Sequence, residues 1–205
     1  MEVNIYLYSR TGARARRSNV GPDATTTKAR LLTAACDEFA RVGFAGARVD
    51  RIATAAASNV RMIYAHFGSK STLFDTCFAH MVAAMAEAVP PRGDDLPEWA
   101  AELVEYHDRD PRALRISMWA QLERPESTAE PLRVYAAKVA TVRPDLTPTS
   151  LRPADVLIMV YAIAQSWHLS PDGLVQHAAT TTAERACAAR VAVARILGTP
   201  ERPPT

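Results

Sequence analysis

Cysteine is scarce in this sequence of 205 residues, and the three that occur form no recognisable site. Cys36, Cys77 and Cys187 lie far apart, and no CxxC pair is present. Disulfide-rich secreted domains and zinc sites depend on clustered cysteines. The pattern therefore predicts neither a disulfide framework nor a metal site, and the three are interpreted as buried small apolar side chains.

Long apolar runs are missing as well. The longest are far shorter than the roughly 18 residues that a membrane span needs, and the N-terminus has no apolar core of a secretory signal. We expect a soluble, cytoplasmic protein with no membrane partner. Hydrophobic residues make up 48% and charged residues 22% of the chain, which is typical of folded domains and argues against wholesale disorder.

Glycine is rare, and proline is unevenly distributed. The eight glycines do not mark hairpin turns between alternating strands. Pro22 is the only proline before Pro90, and the twelve that follow Pro90 recur at intervals of about one helix length. Proline fits the first turn of a helix and breaks its interior. The pattern predicts an all-α fold with about nine helices.

Apolar spacing and capping residues place four helices before Pro90 and five after it. The first four are predicted at 27–42, 49–56, 60–66 and 69–89. The other five are predicted at 97–108, 111–123, 128–142, 153–168 and 180–197. Residues 1–24 are expected to form a basic, flexible arm, which either reaches for phosphates or is a tail or a mis-assigned start. Residues 199–205 are expected to form a flexible tail.

Charge is divided unevenly along the chain. Residues 1–75 contain 11 Lys/Arg and six Asp/Glu, whereas residues 76–205 contain 13 and 16. The first part is therefore net positive and the second net negative. This division indicates an anionic partner for the N-terminal part alone.

Two short predicted helices separated by three residues make a helix-turn-helix. In this motif the second helix enters the major groove of DNA, and its first residues meet the base edges. Asn59 can cap that helix, and Arg61 in its first turn can form a two-pronged contact with guanine. Tyr64 shares a face with Arg61, and Lys70 adds a cation at the start of the following helix. This arrangement predicts a double-stranded DNA partner.

The stretch from Thr27 to Phe78 strongly resembles the DNA-binding domain of TetR-family transcriptional repressors. The shared features are an alanine pair, a phenylalanine, a glycine-aromatic step, an isoleucine-alanine step, a Tyr-x-His-Phe-x-Ser-Lys run and a leucine, all at the family spacing. In this chain they are Ala34-Ala35, Phe39, Gly43-Phe44, Ile52-Ala53, Tyr64-Ala65-His66-Phe67-Gly68-Ser69-Lys70 and Leu73-Phe74. The resemblance implies a TetR-like fold, with a helix-turn-helix domain at 25–72 (motif at about 48–67) and an effector-binding and dimerisation domain at 73–198.

The resemblance also implies individual DNA contacts. Contacts with the DNA backbone are implied for Arg48, Tyr64, His66 and Lys70. Base or phosphate contacts are implied for Asn59, Val60 and Arg61. Two alternatives stay open: His66 packs beneath its helix with a backbone hydrogen bond, and Tyr64 is a core aromatic.

Several residues depart from the family pattern. Ala47 and Arg48 occupy positions where a threonine or serine usually caps the second helix, and a lost cap costs about 1 kcal/mol. Ala57 stands at the glycine of the turn, where a left-handed backbone carries a penalty of about 1 kcal/mol. Ser58 replaces a buried apolar residue and would need a hydrogen-bond partner. Arg61 stands where the family commonly has glycine.

In this family the rest of the chain binds a small effector. The segment 98–123 resembles members that pair a Tyr-His step with a Trp-x-x-Leu-Glu step. Effector pockets are mostly apolar with a few polar anchors, and the candidates here are Trp99, Tyr106, His107, Met118, Trp119 and Gln121. The alternative is that the large residues simply form the core. His107-Asp108 has no second ligand at helical spacing, so no metal is expected.

The last two long helices look like the family's dimerisation helices. The helix at 153–168 is apolar on nearly every face and must be buried all round. The helix at 180–197 is rich in alanine, which lets a partner helix approach closely. A two-fold contact through both suits a homodimer that binds a two-fold-related operator. The alternative is a bundle core within one chain.

Together these observations predict a ligand-responsive transcriptional repressor. It would bind an inverted-repeat operator as a homodimer and be released by an unknown small-molecule effector. No nucleophile-base arrangement or phosphate-binding loop appears, so the sequence predicts neither an enzyme nor a cofactor. The alternatives are a partner-binding protein derived from a helix-turn-helix and an activator without small-molecule induction.

Overall fold

The computed structural model describes residues 23–128, 132–143, 151–178 and 181–198. These residues form α-helices joined by short connections and contain no strand, which confirms the predicted all-α fold. The helices are α1 (Asp23–Gly46), α2 (Val49–Ala55), α3 (Val60–Phe67), α4 (Lys70–Ala88), α5 (Leu96–Arg109), α6 (Arg112–Glu123), α7 (Leu132–Thr141), α8 (Pro153–Leu169), α9 (Asp172–Val175) and α10 (Thr182–Leu197). A single 3-10 turn, Pro125–Thr128, precedes α7.

The N-terminal helices α1 to α3 pack with the first half of α4 around one apolar core. The residues at helical spacing on these elements are fully or almost fully buried: Leu31, Ala35, Phe39, Ile52, Ile63, Leu73 and Phe74. Phe39 and Phe74 meet edge to face, with ring centroids 5.0 Å apart. This core fixes the positions of α2 and α3 relative to each other.

Helix α5 is the centre of the C-terminal half. It packs against α8 and α10 and buries Trp99, Leu103 and Val104. Helix α6 lies against α1 and α4, so it connects the two halves. The two halves therefore share α4 and α6 as their common elements.

The predicted helix boundaries need four corrections. Helix α1 begins at Asp23, so the expected arm 1–24 ends sooner, and its remaining residues lie outside the described ranges, as does the tail 199–205. Helix α7 runs from Leu132 to Thr141. Thr128, where the predicted helix 128–142 begins, belongs to the separate turn Pro125–Thr128. The short helix α9 was not predicted, since four residues show no periodicity. Helix α4 ends one residue before the predicted limit, at Ala88.

The single chain does not bury the helix 153–168 all round; the predicted all-round burial is tied to a homodimer, which stays a prediction. Ile158 is 66% exposed and Met159 is also exposed, whereas Val156 and Val160 are buried. Only one side of α8 meets α5, α7 and α10. The other side is an apolar surface with no cover among the described residues.

No helix in the described part of the chain is both long and apolar enough to cross a membrane. The same residues contain no cluster of three or more histidine, cysteine or acidic side chains arranged to hold a metal ion.

Candidate nucleic-acid interface

Helix α3 is held at both ends by local hydrogen bonds. The Asn59 side chain accepts from the backbone N–H of Met62 at 3.1 Å, which confirms the predicted N-cap. Gly68, at φ 78°, ends the helix, and its N–H donates to the Tyr64 carbonyl. Ile63 and Phe67 are buried beneath the helix. The orientation of α3 is thus fixed by its own caps and by two apolar anchors.

The side chains predicted to meet DNA lie mainly on the outer side of α3 and at the start of α2. Arg48, Asn59 and Arg61 are exposed, and Val60 is half-buried. Tyr64 is 48% exposed, which contradicts its interpretation as a core aromatic. Arg61 and Tyr64 are one turn apart on a short, rigid helix and can meet the same partner. Their contacts with DNA stay a prediction.

The turn between α2 and α3 forms without glycine. Ala57 has φ 48°, in the left-handed region that costs an alanine roughly 1–2 kcal/mol. The N–H groups of Ala57 and Ser58 donate to the carbonyls of Thr54 and Ala53 at 3.0 and 2.9 Å. Ser58 is half-buried rather than fully buried, so solvent can reach this position. The turn therefore keeps its geometry at the cost of local strain.

The start of α2 is stabilised from a neighbouring helix. Arg48 makes no side-chain cap, as predicted, but its N–H donates to Glu38 Oε1 of α1 at 3.4 Å. Arg41 and Arg51 also pair with this carboxylate. Burial raises the pKa of Glu38, but the hydrogen bonds from Arg41 and Arg48 outweigh it, and the pKa lies below its usual value. An ionised Glu38 thus stabilises the N-terminal end of α2, which lacks a capping side chain.

His66 and Lys70 are less exposed than the residues on the outer side of α3. His66 is half-buried, and its Nε2 atom has no hydrogen-bond partner among the described residues. Lys70 Nζ lies 4.8 Å from the centroid of the Phe44 ring. The preceding residue, Ser69, caps α4, and its hydroxyl accepts from Thr72 N at 3.0 Å. Lys70 is thereby held near the start of α4, where a phosphate would meet both a cation and free N–H groups.

Helix α1 is interrupted at Gly43, next to α6. Gly43 has φ 74° and ψ −177°, a conformation that is essentially restricted to glycine. A Cβ atom there would lie 2.8 Å from the Trp119 ring and 2.9 Å from Glu123 Oε2. The lack of a side chain at Gly43 therefore makes room for two side chains of α6.

Polar groups of α6 bind the backbone on both sides of this interruption. Glu123 Oε2 accepts from the N–H groups of Phe44 and Ala45 at 2.6 and 3.0 Å. Arg115 Nε donates to the carbonyl of Ala40 at 2.7 Å. We call the side chains of Arg115, Trp119 and Glu123, with the backbone of residues 40–45, the α6 latch. It joins the helix-turn-helix half of the protein to the C-terminal half.

Sequence analysis did not assign the α6 latch, although a signal for it was present. Trp119 and Glu123 are the first and last residues of the Trp-x-x-Leu-Glu step. Arg124 follows directly, with its guanidinium 4.7 Å from the Phe44 ring centroid and its Nη2 atom 3.4 Å from Asp75. The Trp-x-x-Leu-Glu step, whose Trp119 is a candidate effector residue, thus also faces α1.

Three of the candidate effector residues are buried on α5. Trp99, Tyr106 and His107 are all in the core. Trp99 Nε1 donates to the Val89 carbonyl at 3.4 Å, whereas neither ring nitrogen of His107 has a partner among the described residues. Burial, together with the neighbouring His168, lowers the pKa of His107 to about 4. His107 is thus a neutral, buried imidazole at neutral pH.

The other three candidates lie on α6. Met118 and Trp119 line a concavity of about 210 Å³ together with Leu114, Leu122 and His168. Gln121 is exposed. Neither Gln121 nor the three α5 residues line this concavity. The structure therefore separates the six candidates into a buried group on α5 and a more exposed group on α6.

The comparisons with known proteins agree with this architecture. Residues 31–77 match the family described as bacterial regulatory proteins, tetR family, and residues 95–195 match the tetracyclin repressor-like C-terminal domain. The chain is 37% identical to the HTH-type transcriptional repressor SCO4008 of Streptomyces coelicolor over 150 residues, which are 69% of this chain and 78% of that protein. The chain belongs to the TetR family of transcriptional regulators.

Other transcriptional regulators resemble the chain over part or most of its length. The HTH-type transcriptional repressor NicS of Pseudomonas putida is 39% identical over 114 residues, about half of each chain (52% and 51%). The crystal structure of the Streptomyces coelicolor transcriptional regulator SCO4942 superposes with a TM-score of 0.74 at 31% identity. That match covers 83% of this chain and 97% of the other. The chain is thus similar to repressors in sequence and to a transcriptional regulator in fold.

Proposed function

We propose that this TetR-family regulator is a homodimeric, cytoplasmic repressor that binds an inverted-repeat operator and is released by a small molecule. The observation that carries the proposal is the exposure of Arg61 and Tyr64 on a capped, well-anchored α3. Arginine in the first turn of a recognition helix selects bases, and a tyrosine hydroxyl contacts a phosphate. The basic residues of the N-terminal third supply the sequence-independent part of the affinity.

Dimerisation is supported by the uncovered apolar side of α8. Ile158 and Met159 on α8 and Val191 on α10 are exposed in the single chain. Exposed apolar residues on neighbouring helices commonly mark an interface. A second copy related by a two-fold axis would cover both helices and place two α3 helices to face successive major grooves, about 34 Å apart.

Control by an effector is supported by the contacts of α6. This helix borders the concavity at Met118 and Trp119, and its Arg115, Trp119 and Glu123 side chains form the α6 latch with α1. A ligand that prefers one position of α6 would shift the DNA-binding half with it. A coupling free energy of about 1–3 kcal/mol is typical of such a shift and changes operator affinity by roughly 5- to 150-fold.

The test is the selection of bound sequences from random duplex DNA by the full-length protein at moderate salt. We expect enrichment of an inverted repeat. Replacing Arg61 by alanine should alter the selected bases, with a loss of discrimination of about 1–3 kcal/mol. Tyr64→Phe and Lys70→Ala should instead weaken binding to all sequences alike. Only Lys70→Ala, which removes a positive charge, should also reduce the dependence of binding on salt.

Each outcome separates the alternatives. An unchanged base preference after Arg61→Ala would reject Arg61 as a reading residue. A folded dimer that binds no DNA even at low salt would favour a partner-binding protein. An enriched operator that activates rather than silences a reporter promoter would leave DNA recognition intact and reject repression.

A further inference from the structure

One lysine of the effector half is buried without a carboxylate partner. Lys138 on α7 is 6% exposed, and its one recorded side-chain hydrogen bond joins Nζ to the Tyr161 hydroxyl at 2.8 Å. No acidic side chain in the described part of the chain pairs with it. Lysine is almost never fully buried unless it is paired. The position therefore calls for an explanation other than packing.

Aromatic rings surround the Lys138 ammonium. Nζ lies 5.4 Å from the ring centroid of Tyr161 on α8 and 5.6 Å from that of Tyr135 on α7. The Trp99 ring on α5 meets Tyr161 edge to face, at 5.4 Å between centroids. We call Trp99, Tyr135, Lys138 and Tyr161 the α7–α8 cluster. It combines one positive charge with three flat apolar surfaces.

Burying the Lys138 ammonium without a negative charge beside it costs free energy. An ammonium has three N–H donors, and Tyr161 takes only one of them. Burial lowers the pKa of Lys138 and raises that of Tyr161, which shows that both charged forms are disfavoured here. A ligand that brings a negative charge would satisfy the remaining donors and offset the cost of burying the ammonium.

We propose that the effector is a small aromatic acid whose carboxylate pairs with Lys138 and Tyr161 and whose ring packs against Trp99 and Tyr135. This rests on the proposed function, in which a small molecule controls the protein. It places that molecule in the α7–α8 cluster and not in the concavity beside α6, since none of the four cluster residues lines that concavity. A single ammonium balances a single negative charge, so a monocarboxylate fits better than a phosphate, which carries about −1.5 to −2. Tyr135 is partly exposed, so the cluster lies one side chain from the solvent.

The first experiment uses sodium benzoate as the probe and benzamide as its uncharged analogue. Both are titrated into the purified full-length protein by calorimetry at constant ionic strength. We expect benzoate to bind at least about tenfold more tightly than benzamide, since a charge-assisted hydrogen bond contributes at least that factor. Equal binding of the two, or no binding of benzoate, would overturn the proposal.

Variants locate the binding in the α7–α8 cluster. Lys138→Met removes the charge at nearly constant length and should weaken benzoate binding by about tenfold or more. Tyr161→Phe removes one hydroxyl and should weaken it less. Lys28→Met makes the same change at an exposed lysine and should leave benzoate binding as it is. If Lys138→Met binds benzoate as well as the unaltered protein does, the proposal is wrong.

A second readout separates a ligand anchor from a structural lysine. Without benzoate, Lys138→Met should unfold at the same temperature or higher, because replacing a buried unpaired charge by an apolar side chain removes a desolvation cost. A lower unfolding temperature would assign Lys138 a structural role instead. Operator binding is measured on the same samples in the absence of benzoate. If the unaltered protein binds no operator, the proposed function is contradicted. If it binds the operator but does not bind benzoate, only the effector assignment is contradicted.

Discussion

The two halves of the protein place their polar side chains in opposite ways. The DNA-binding half keeps its predicted contact residues at or near the surface, as with Arg61 and Tyr64, and the carboxylate that it buries, Glu38, is paired with arginines. The C-terminal half buries His107 and Lys138, and neither has an ion-pair partner among the described residues. A surface that binds a large, hydrated polyanion needs no burial, whereas a pocket for a small ligand must surround it. This difference is what the proposed function, with DNA at one half and a small ligand at the other, would require.

The sharpest test of whether the halves act as one unit is Gly43→Ala. The added Cβ would meet the Trp119 ring and the Glu123 carboxylate, and alanine is strained at φ 74°. We expect the free energy of unfolding to fall by about 2–4 kcal/mol, from strain and displaced packing together.

The matched control for Gly43→Ala is Gly198→Ala, at φ 67° with no atom within 4 Å of its Cβ position. It should cost only about 1 kcal/mol in urea unfolding. Equal losses in the two variants would mean that the contact of α6 with Gly43 contributes nothing, and the two halves would then be independent.

Glu123→Ala should loosen the boundary between the halves with less damage. It removes the acceptor for the N–H groups of Phe44 and Ala45, at a cost of about 2 kcal/mol. Hydrogen exchange at these two amides should accelerate. Glu105→Ala, which removes an exposed carboxylate from α5, is the control and should leave this exchange as it was; slow exchange in both variants would show that Glu123 does not hold the latch.

Lowering the pH should reduce the free energy of unfolding through His107, which lies in the C-terminal half. Its pKa is about 4 in the folded protein and about 6.5 when unfolded, so the unfolded chain takes up the proton first. Stability is therefore lost as the pH falls from about 6.5 towards 4, by about 2 kcal/mol between pH 7.5 and 5. Urea unfolding at both pH values checks this.

His107→Leu should remove this part of the pH dependence, because leucine binds no proton. The same replacement at His80, which is exposed on α4, serves as the control and should leave the loss in place. A pH dependence that is identical in the unaltered protein and in His107→Leu would contradict the buried, neutral state of His107.

The smallest expected effect is in the DNA-binding half. Ala57→Gly should stabilise the protein by about 1 kcal/mol, because glycine adopts φ 48° without strain. Ala65→Gly, in the interior of α3, should have the opposite sign and a similar size. Thermal unfolding of both variants gives the comparison; destabilisation by Ala57→Gly would show that the turn carries no strain.

The contacts that could be predicted from the sequence are those between residues that lie close together along the chain. The caps Asn59 and Ser69 lie within three residues of their partners, so local pattern was sufficient for α3 and α4. Glu123 and Phe44 are 79 residues apart, and Lys138 and Tyr161 are 23 apart. Contacts of this kind depend on how helices pack, and helical periodicity does not contain that information.

The same reason limits what the sequence says about the surroundings of α8. Its apolar residues gave the right helix but not the number of neighbours, and one chain supplies neighbours for only one side. The roles predicted for Arg48, Val60 and His66 concern DNA that only a complex would show. The composition of a helix therefore predicts that it needs burial, but not which molecule provides it.

The α6 latch restricts how the two halves can move. Arg115 and Glu123 are two helical turns apart and grip groups of opposite polarity, carbonyls at one end and amides at the other. A shift of α6 along its axis would bring donor against donor, and the Trp119 ring beside Gly43 blocks a sideways shift. These contacts therefore oppose sliding of α6 past α1 more than they oppose rotation about the contact. In the proposed homodimer, an effector would then change the spacing of the two α3 helices by swinging them.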